Sequence, residues 1–418
     1  MGTVHIVGAG LAGLACAVKL VKAGRKAGNK VCVYEATRHA GGRCRSFDDS
    51  KLGRRIDNGN HLTLSGNRSL MEYMGDIGAA GALTGPREPE FEFLDIKSGL
   101  RWTIRPNGGP IPWWIFSPSR RVPTTSAGDY LEGVRLGRSG PDATVAGCLD
   151  NNSQLYRRFW EPLTVAVLNT PAHEAAAGLL WAVIRETFMR GGAACRPLMA
   201  RVGLSESFID PAMAFLGHWG CRVQFNRRIK SMDFGGDRVR GLDLEGERIG
   251  IGDGDSVVLA VPPCAAAGLV AGLSVPSQGR AIVNAHFILP KSMDRVSILG
   301  LIGGLGQWLF VRGDVASVTI SAAGSIAGDE AGSIARLLWP EVALALGLGE
   351  QPPGAYRIIK ERRATFAQTP EQSRMRPSTE SNWKNLFLAG DWTDTGLPAT
   401  IEGAVRSGQK AAMAILHA

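Results

Sequence analysis

Three glycines at a fixed spacing near the start of the chain constrain its fold more than any other feature. Gly8, Gly10 and Gly13 follow the apolar run Thr3–Val7, and a stretch with helical periodicity, LAGLACAVKLVKAG, comes next. A second apolar run, KVCVYEA, then carries Glu35 near its end. This order predicts a strand, a glycine loop, a helix and a second strand, which together form a dinucleotide-binding unit.

Each part of this unit has a task in holding a dinucleotide. The first glycine permits a tight turn, the second lets a pyrophosphate approach the backbone, and the third lets helix and strand pack closely. The helix N-terminus then faces the phosphates, whose negative charge its dipole stabilises. Glu35 ends the second strand, where a carboxylate can accept hydrogen bonds from the ribose hydroxyls.

A second glycine motif, GGRCRSF, follows the acidic residue. Gly41 and Gly42 supply a backbone bend, and Arg43 supplies a cation that can approach the same phosphates. These residues alone leave NAD and FAD both open. Together, the two motifs resemble the flavin-binding family of amine oxidases and carotenoid desaturases, and the resemblance implies FAD with Arg43 beside its pyrophosphate.

The C-terminal stretch LAGDWTDTGLPATIEGAVRSG extends this resemblance. NLFLAGDW predicts a strand that ends at Gly390 and Asp391, and ATIEGAVRSG predicts a helix beginning near Thr400. In the family this last segment returns to the cofactor, which implies that Gly390 and Asp391 lie beside the ribityl chain and pyrophosphate. It also implies that Thr400, Ile401 and Ala404 lie against the flavin, where a helix N-terminus stabilises negative charge on the reduced ring.

If both ends of the chain build one site, the dinucleotide domain is discontinuous. We predict the α/β class, with a Rossmann-like FAD-binding domain from 1–85, 209–265 and 380–418. An inserted α+β domain from 86–208 and 266–379 would bind substrate and contact a membrane. GCRVQFNRRIKSMDFGGDRVRGLDL predicts strand, turn and strand, and the resemblance implies that Ile229 contacts the adenine region. The uncharged window 256–275 contains Pro262 and Pro263, which favour a buried strand, a turn and a short helix over a membrane span.

Composition narrows the classes of partner. The 418 residues predict roughly two or three domains. The net charge of +9 suits a phosphate-rich cofactor, anionic lipid or nucleic acid. We predict no nucleic-acid partner, because no recognition fold accompanies the basic residues. The seven cysteines are scattered without a CxxC pair, so neither a disulfide framework nor a metal site is expected. MGTVHIVGAG enters a strand without a secretory leader, which predicts a cytoplasmic protein.

Two internal segments narrow the resemblance to one branch. YRRFWEPLTVAVLNTP and IDNGNHLTL, together with the C-terminal stretch, resemble the squalene-associated branch of the family, the hydroxysqualene dehydroxylases. The resemblance implies FAD-dependent reductive removal of the hydroxyl of hydroxysqualene, giving squalene for hopanoids or related triterpenoids. Hydride from reduced flavin would reach an allylic carbon as water leaves. The expected partners are a hydrophobic isoprenoid substrate and an electron donor that the sequence does not identify.

The same two segments supply candidates for chemistry. His61 is the predicted acid, because histidine is readily poised near neutral pH, although it could simply pack on the flavin. Asp57 could orient His61 or satisfy backbone amides, and Glu161 and Asn169 belong to the branch motif. Glu161 could equally be a carboxylate at a helix N-terminus, and Glu402 is expected to be structural. The full set predicted to contact FAD is Gly8, Gly10, Leu11, Ala12, Gly13, Glu35, Ala36, Gly41, Gly42, Arg43, Gly59, Asn60, His61, Ile229, Gly390, Asp391, Thr400, Ile401 and Ala404.

Basic and aromatic residues alternate in KSGLRWTIRPNGGPIPWWIFSPSRRVP, with no acid between Asp95 and Asp129. Tryptophans flanked by arginines suit a membrane interface, which predicts a peripheral protein on the inner face of the cytoplasmic membrane. A core strand followed by a solvated loop explains the same composition.

Three other functions stay open from the sequence. A carotenoid or polyprenoid desaturase would share the fold and cofactor but move electrons in the opposite direction. An amine oxidase is less favoured, because an aromatic pair that could cage an amine is not evident, although Trp392 leaves this open. A lipid escort protein that has lost FAD would not need the glycine motifs.

Overall fold

The computed structural model describes residues 2–24 and 30–417, apart from the side chains of 294–296. The strands are β1 (Thr3–Val7), β2 (Lys30–Tyr34), β3 (Ser46–Asp49), β4 (Arg54–Asp57), β5 (Thr63–Leu64), β6 (Leu83–Thr84), β7 (Phe91–Asp95), β8 (Arg101–Ile104), β9 (Pro197–Ala200), β10 (Val223–Gln224), β11 (Ser231–Gly235), β12 (Arg238–Leu244), β13 (Glu247–Gly250), β14 (Ser256–Leu259), β15 (Gly279–Ile302), β16 (Trp308–Ile320), β17 (Tyr356–Phe366) and β18 (Leu386–Leu388). The α-helices are α1 (Leu11–Gly24), α2 (Arg68–Asp76), α3 (Ala127–Leu131), α4 (Val134–Arg138), α5 (Val145–Cys148), α6 (Glu161–Leu168), α7 (Ala177–Glu186), α8 (Asp210–His218), α9 (Pro263–Leu269), α10 (Ala331–Leu346), α11 (Pro370–Arg374) and α12 (Ile401–His417).

A five-stranded parallel sheet joins distant parts of the chain in the order β10-β2-β1-β14-β18. One face packs against α1, α8 and α12, with Ile6 and Val405 in the same core cluster. The other face packs against the antiparallel sheet β11-β12-β13, where Val7 and Leu242 meet. Parallel strands require apolar cover on both faces, and these two layers provide it. The predicted α/β class with a Rossmann-like sheet is confirmed.

Two close backbone approaches pack the dinucleotide-binding unit, and the second of them joins the two ends of the chain. A Cβ on Gly13 would lie 1.9 Å from the Gly8 carbonyl oxygen, so only glycine lets α1 start this close to β1. A Cβ on Gly408 would lie 2.0 Å from the Ala12 carbonyl oxygen, so α12 packs directly on α1. The terminal helix is therefore part of the dinucleotide unit.

A second, mixed sheet has the order β16-β15-β7-β8, with β17 also paired to β15. Helix α10 covers one side through a cluster that includes Val283 and Leu338. An aromatic-rich layer formed by α3 to α7 covers another part, with Phe93 and Phe159 in its core. These elements lie within 86–208 and 266–379, and we propose that the domains divide as the sequence predicts.

The uncharged window 256–275 folds as predicted, into the buried strand β14 followed by α9. Strand β14 pairs with both β1 and β18 in the parallel sheet. GCRVQFNRRIKSMDFGGDRVRGLDL contains β11, a turn and β12, as predicted, and also the two-residue strand β10, which the prediction did not separate. Across residues 2–24 and 30–417, no helix combines the length and hydropathy that crossing a bilayer requires.

Candidate cofactor and substrate site

One cavity of about 1060 Å³ is lined by both ends of the chain and by the second sheet. It lies where β1, β2 and β14 end and the loops that follow them begin. The predicted residues that line it are Gly8, Gly10, Leu11, Ala12, Glu35, Ala36, Gly41, Gly42, Arg43, Gly59, Asn60, His61, Asn169, Ile229, Gly390, Asp391, Thr400, Ile401 and Ala404. Gly13, Asp57 and Glu161 are absent from this lining, and Gly13 serves the packing of helix on strand instead.

The two glycine motifs contact each other at the cavity. The Gly41 amide donates to the Ala9 carbonyl at 2.8 Å, and Gly10 and Gly41 form a parallel bridge. Among the described residues, no atom lies within 4 Å of the position that a Cβ on Gly10 would occupy. The backbone at Gly10 is thus open to a ligand, as close approach of a pyrophosphate requires.

Glu35 is held with its carboxylate at the end of β2. One carboxylate oxygen accepts from the Ala9 amide at 2.9 Å, and the other accepts from the Thr37 amide and hydroxyl, each at 2.9 Å. A carboxylate has about four acceptor positions, so these three bonds leave capacity for a ribose hydroxyl. The Glu35 amide donates to the Gln224 carbonyl and so fixes the neighbouring segment that carries Ile229.

Arg43 and Asp391 join the second glycine motif to the C-terminal strand. An Arg43 guanidinium nitrogen lies 2.7 Å from an Asp391 carboxylate oxygen, and Arg43 also donates to the Ala364 carbonyl. The Asp391 carboxylate raises the pKa of the Arg43 guanidinium. Residues separated by most of the chain length therefore form a charged pair beside the glycine loops.

The segment between β18 and α12 is fixed by buried donors. Arg376 donates to the Asp391 carbonyl at 3.2 Å and to the Leu397 carbonyl at 2.8 Å. The Gly390 amide donates to the Ser407 hydroxyl at 2.7 Å. Trp392 is the aromatic residue that kept the amine oxidase alternative open. It is 1% exposed and its indole donates to the Val261 carbonyl at 2.8 Å, so the position of the ring is fixed.

The first turn of α12 faces the cavity, and its acidic residue is structural as expected. Glu402 accepts from the Ser69 and Leu70 amides at 3.1 and 2.8 Å, and so satisfies donors at the N-terminus of α2. It also pairs with Arg406 at 3.1 Å. Arg406 in turn binds both carboxylate oxygens of Glu186, a residue of the cavity lining.

The loop that carries His61 is held by the second sheet. The Asn60 side chain donates to the Thr319 hydroxyl at 3.0 Å, and the Asn60 amide donates to Asn284 at 3.4 Å. In the described part of the chain, no group hydrogen-bonds the His61 imidazole, which lines the cavity. Burial lowers the pKa of His61 to about 4, despite the opposing attraction of Asp57. Burial therefore favours the uncharged ring at neutral pH, and the assignment of His61 as the acid stays a prediction.

Asp57 is not part of the cavity lining, and three groups of the protein already bind its carboxylate. Its carboxylate pairs with Arg312 at 2.6 Å and accepts from the Ser46 hydroxyl at 2.6 Å and the Leu204 amide at 2.9 Å. The side chain is buried and borders a small void that His61 also borders. These contacts favour the structural alternative, the satisfaction of buried donors, and the catalytic role of Asp57 stays a prediction.

The structure places the two candidates of the branch motif, Glu161 and Asn169, in different surroundings. Glu161 is exposed at the start of α6 and is absent from the cavity lining, which favours the alternative of a carboxylate at a helix N-terminus, and its part in the chemistry stays a prediction. Asn169 lines the cavity, but its amide oxygen accepts from Ala322 at 2.6 Å and its amide nitrogen donates to Thr365 at 3.0 Å. Its left-handed backbone (φ 46°) ends α6. The Asn169 side-chain amide thus joins the turn that ends α6 to Ala322 and Thr365.

Large apolar side chains line the rest of the cavity, and the sequence did not identify them. The Phe93 and Trp308 ring centroids lie 5.9 Å apart, and those of Phe91 and Phe188 lie 5.7 Å apart. Alternation along β7 indicates that Phe91 and Phe93 share a face, but not that this face borders a cavity. We call these six residues the aromatic wall: Phe91, Phe93, Phe159, Phe188, Trp308 and Phe310.

The parallel sheet, the two paired glycine motifs and the C-terminal segment that lines the same cavity define a dinucleotide-binding protein. The family model for flavin-containing amine oxidoreductases matches residues 11–291 and 318–416. A redesigned double mutant of putrescine oxidase superposes with a TM-score of 0.72 at 16% identity, covering 100% of both chains. Cyclohexylamine oxidase from Brevibacterium oxydans gives 0.70 at 16% identity over 100% of this chain and 99% of its own. At these identities the two structures support the fold alone.

Full-length relatives define the family more narrowly. A hydroxysqualene dehydroxylase of Rhodopseudomonas palustris is 45% identical over 100% of this chain and 99% of its own length. One from Sinorhizobium fredii is 46% identical over 98% and 97%. The chain belongs to the hydroxysqualene dehydroxylase family, within the flavin-containing amine oxidoreductases, and is an FAD-dependent enzyme. The open backbone at Gly10, the free acceptor capacity of Glu35 and the Arg43 cation fit that cofactor.

Proposed function

We propose that this enzyme removes the hydroxyl of hydroxysqualene reductively and releases squalene. We call the part of the cavity lined by the two glycine motifs, Glu35, the Gly390–Asp391 pair and the start of α12 the FAD cradle. The observation that carries the proposal is that the FAD cradle and the aromatic wall border one continuous cavity. The full-length similarity to hydroxysqualene dehydroxylases supports the choice of substrate. We further propose that the squalene supplies hopanoid or related triterpenoid synthesis, as the resemblance implies.

The proposed reaction replaces a carbon–oxygen bond by a carbon–hydrogen bond. The hydroxyl leaves an allylic carbon and takes up a proton to form water, while two electrons and a proton reach that carbon as a hydride. FAD, when bound and reduced, supplies the hydride. An external donor must first reduce the cofactor, and its identity is left open.

The chain contributes a dry site in which such a bond can break. The aromatic wall, together with Leu163, Ala166 and Val167, presents apolar surface that excludes water from the substrate. Ring faces also attract positive charge, so the wall stabilises charge that develops on the allylic carbon. Water exclusion protects that carbon from being attacked by solvent and returned to an alcohol.

We propose that His61 contacts the departing hydroxyl. The His61 ring lines the cavity and has no hydrogen-bond partner among the described residues. Its low pKa makes the ring neutral. A neutral imidazole carries one N–H donor, which can hydrogen-bond the hydroxyl oxygen as the bond to carbon lengthens. His61 would therefore act as a neutral hydrogen-bond donor and not as a protonated imidazolium, because burial disfavours the charged ring.

The direct test uses photoreduced protein under anaerobic conditions with hydroxysqualene, followed by gas chromatography. We expect squalene from reduced protein and none from oxidised protein. Absence of squalene, together with dehydrogenation of a polyprenoid by oxidised protein, would instead favour the desaturase alternative. Oxidation of amines would favour the amine oxidase alternative, and a colourless protein would favour the escort alternative.

We also propose that the enzyme takes its substrate from a membrane surface, through an apolar tip formed by Ile111, Trp113 and Phe116. These side chains are 56%, 63% and 61% exposed, and the Trp113 and Phe116 rings lie 6.0 Å apart. Exposed apolar clusters of this kind support a protein or membrane contact. Nearby exposed Arg120 would meet anionic headgroups.

Hydrogen bonds of Asn107 hold the tip and connect it to the segment that follows Phe188. The Asn107 side chain donates to the Ile111 carbonyl at 2.9 Å and accepts from the Trp114 amide at 3.1 Å. The Asn107 carbonyl accepts from the Gly192 amide at 2.7 Å, four residues beyond Phe188 of the aromatic wall. Trp102 and Trp114 are buried, so only part of this tryptophan cluster faces outward.

Sedimentation with phospholipid vesicles tests the tip. We expect binding to vesicles that contain anionic lipid, and its loss in the double variant Trp113→Ser with Phe116→Ser. The matched control replaces Leu337 and Leu344, which are 57% and 48% exposed on α10, by serine. Equal binding by the tip variant and the control would overturn the membrane proposal while leaving the reaction proposal in place.

A further inference from the structure

Gln368 lies behind the cavity and joins two of its walls. It follows β17 and is completely buried, with 0% of its surface exposed. Its side chain donates to the Leu168 carbonyl at 2.7 Å and accepts from the Ala399 amide at 2.8 Å. Leu168 is the last residue of α6, and Ala399 lies two residues before α12 begins. One amide thus bridges the two elements directly.

The backbone of Gln368 strengthens the same connection. Its amide donates to the Thr170 hydroxyl at 3.0 Å, and its carbonyl accepts from the Ala176 amide at 2.9 Å. Thr170 is also fully buried and donates to the Leu168 carbonyl at 2.9 Å. The turn that ends α6 is therefore held at several points by one residue.

Each of the two joined elements contributes residues to the lining of the cavity. Helix α6 contributes Leu163, Ala166 and Val167 to the apolar lining. The segment at Ala399 and Thr400 contributes to the lining at the start of α12, which the FAD cradle includes. Gln368 itself does not line the cavity. Any influence it has on the reaction must pass through the walls that it holds.

We propose that Gln368 is a positioning residue that fixes the spacing between the apolar wall at α6 and the FAD-facing start of α12. Hydride transfer depends steeply on the distance between reacting atoms, and an error of about 1 Å can cost about 100-fold in rate. A buried amide with both polar atoms bonded is a rigid spacer, because breaking either bond would leave a buried group unpaired. The predicted effect of Gln368 on FAD binding requires only that the enzyme binds FAD. The predicted effect on turnover rests on the proposed reaction.

The chain offers a matched control for this residue. Gln372 is also buried, at 3% exposure, and its side-chain oxygen accepts from the Ser277 and Gln278 amides at 2.8 and 3.3 Å. These bonds lie within the inserted part of the chain and do not reach α12. Gln368→Leu and Gln372→Leu remove the same chemical groups, and both should lower the thermal midpoint of the apoprotein.

The experiment measures FAD affinity and reduction potential for both variants, with turnover as a further readout. Gln368→Leu should weaken FAD binding about tenfold and shift the flavin potential, while Gln372→Leu leaves both unchanged. If the proposed reaction holds, kcat for Gln368→Leu also falls far more than KM changes. Equal flavin properties in the two variants would overturn the proposal, whatever their stability.

A milder variant covers the case in which Gln368→Leu does not fold. Thr170→Val keeps the side-chain volume but removes the acceptor of the Gln368 amide. It should shift FAD affinity and potential in the same direction by a smaller factor. Wild-type flavin properties in Thr170→Val would then overturn the proposal, and because they need no isoprenoid, this result is separate from any failure of the reaction proposal.

Discussion

The glycine loops and the aromatic wall border the same cavity but are built from different parts of the amino acids. The loops use backbone amides and missing side chains, as in the Gly41 amide bonded to the Ala9 carbonyl. The wall uses bulk, as in the Phe93 and Trp308 rings 5.9 Å apart. A cofactor common to many enzymes is held by backbone geometry, whereas side chains define the surface that an individual substrate meets.

Charge follows the same division. Glu35, Arg43 and Asp391 line the cavity beside the loops, where phosphate and ribose need partners. Near the wall, Glu186 is neutralised by Arg406, and burial keeps His61 uncharged at neutral pH. The contrast predicts that substitutions in the two regions separate cofactor binding from substrate turnover.

The largest effect is expected from Gly13→Ala, which attacks the loops alone. Its Cβ would lie 1.9 Å from the Gly8 carbonyl oxygen, so helix and strand must separate. We expect loss of bound FAD and a fall of about 3 kcal/mol or more in unfolding free energy, measured by flavin content and urea titration. Gly178→Ala on α7 is the control, because no described atom lies within 4 Å of that Cβ. FAD retention at wild-type stability in Gly13→Ala would contradict the loop account.

The next effect concerns the apolar side of the cavity. Ala166→Trp adds bulk beside the aromatic wall and should abolish squalene formation without changing FAD content. Val165→Trp places the same ring one residue away on α6, outside the lining, and should leave most turnover intact. Loss of FAD in Ala166→Trp would show that the two regions cannot be separated in this way.

A smaller effect is expected at His61, where the two regions meet. His61→Ala should retain FAD and lose about 100-fold in turnover, the lower range for a group that assists proton movement. Since burial holds the pKa near 4, the wild-type rate should not follow a histidine titration across neutral pH. Unchanged turnover in the variant would remove His61 from the reaction, and a rate that declines as pH rises through 6.5 would indicate a cationic acid.

The last prediction tests burial in the second sheet, outside the cavity. His286 is 1% exposed, its Nδ1 lies 2.7 Å from the Ser317 hydroxyl oxygen, and burial lowers its pKa from 6.5 to about 4. Between these values the unfolded chain binds a proton that the folded chain does not, so stability falls as pH falls. We expect His286→Gln to reduce this loss by about 3 kcal/mol in urea titrations from pH 7 to 4. An unchanged pH slope would contradict this prediction.

Features encoded by local spacing could be predicted from the sequence. The glycine motifs, Glu35 and the returning tail each combine a short pattern with a backbone task, and the structure brings them to one cavity. Residues whose role depends on distant partners could not be assigned. Asp57 is an example, because its partner Arg312 lies 255 positions away in the chain and the sequence does not show that the two side chains pair.

The tryptophan cluster shows the same limit on a smaller scale. Trp113 is 63% exposed, whereas its neighbour Trp114 is 6% exposed and packs on Tyr130. Composition predicts a membrane interface or a core equally well, and the structure exposes one ring and buries the other. Gln368 gave no signal in the sequence, because its partners lie in two segments that only the fold brings together.

The central claim is that the N-terminal and C-terminal segments together bind FAD next to an isoprenoid, in one cavity that excludes water. Stopped-flow mixing of anaerobic, photoreduced enzyme with hydroxysqualene tests it most directly. The account predicts that oxidised-flavin absorbance returns in step with squalene, at one molecule of squalene for each flavin. Flavin that stays reduced in the presence of hydroxysqualene, or that reoxidises without squalene being formed, would contradict it.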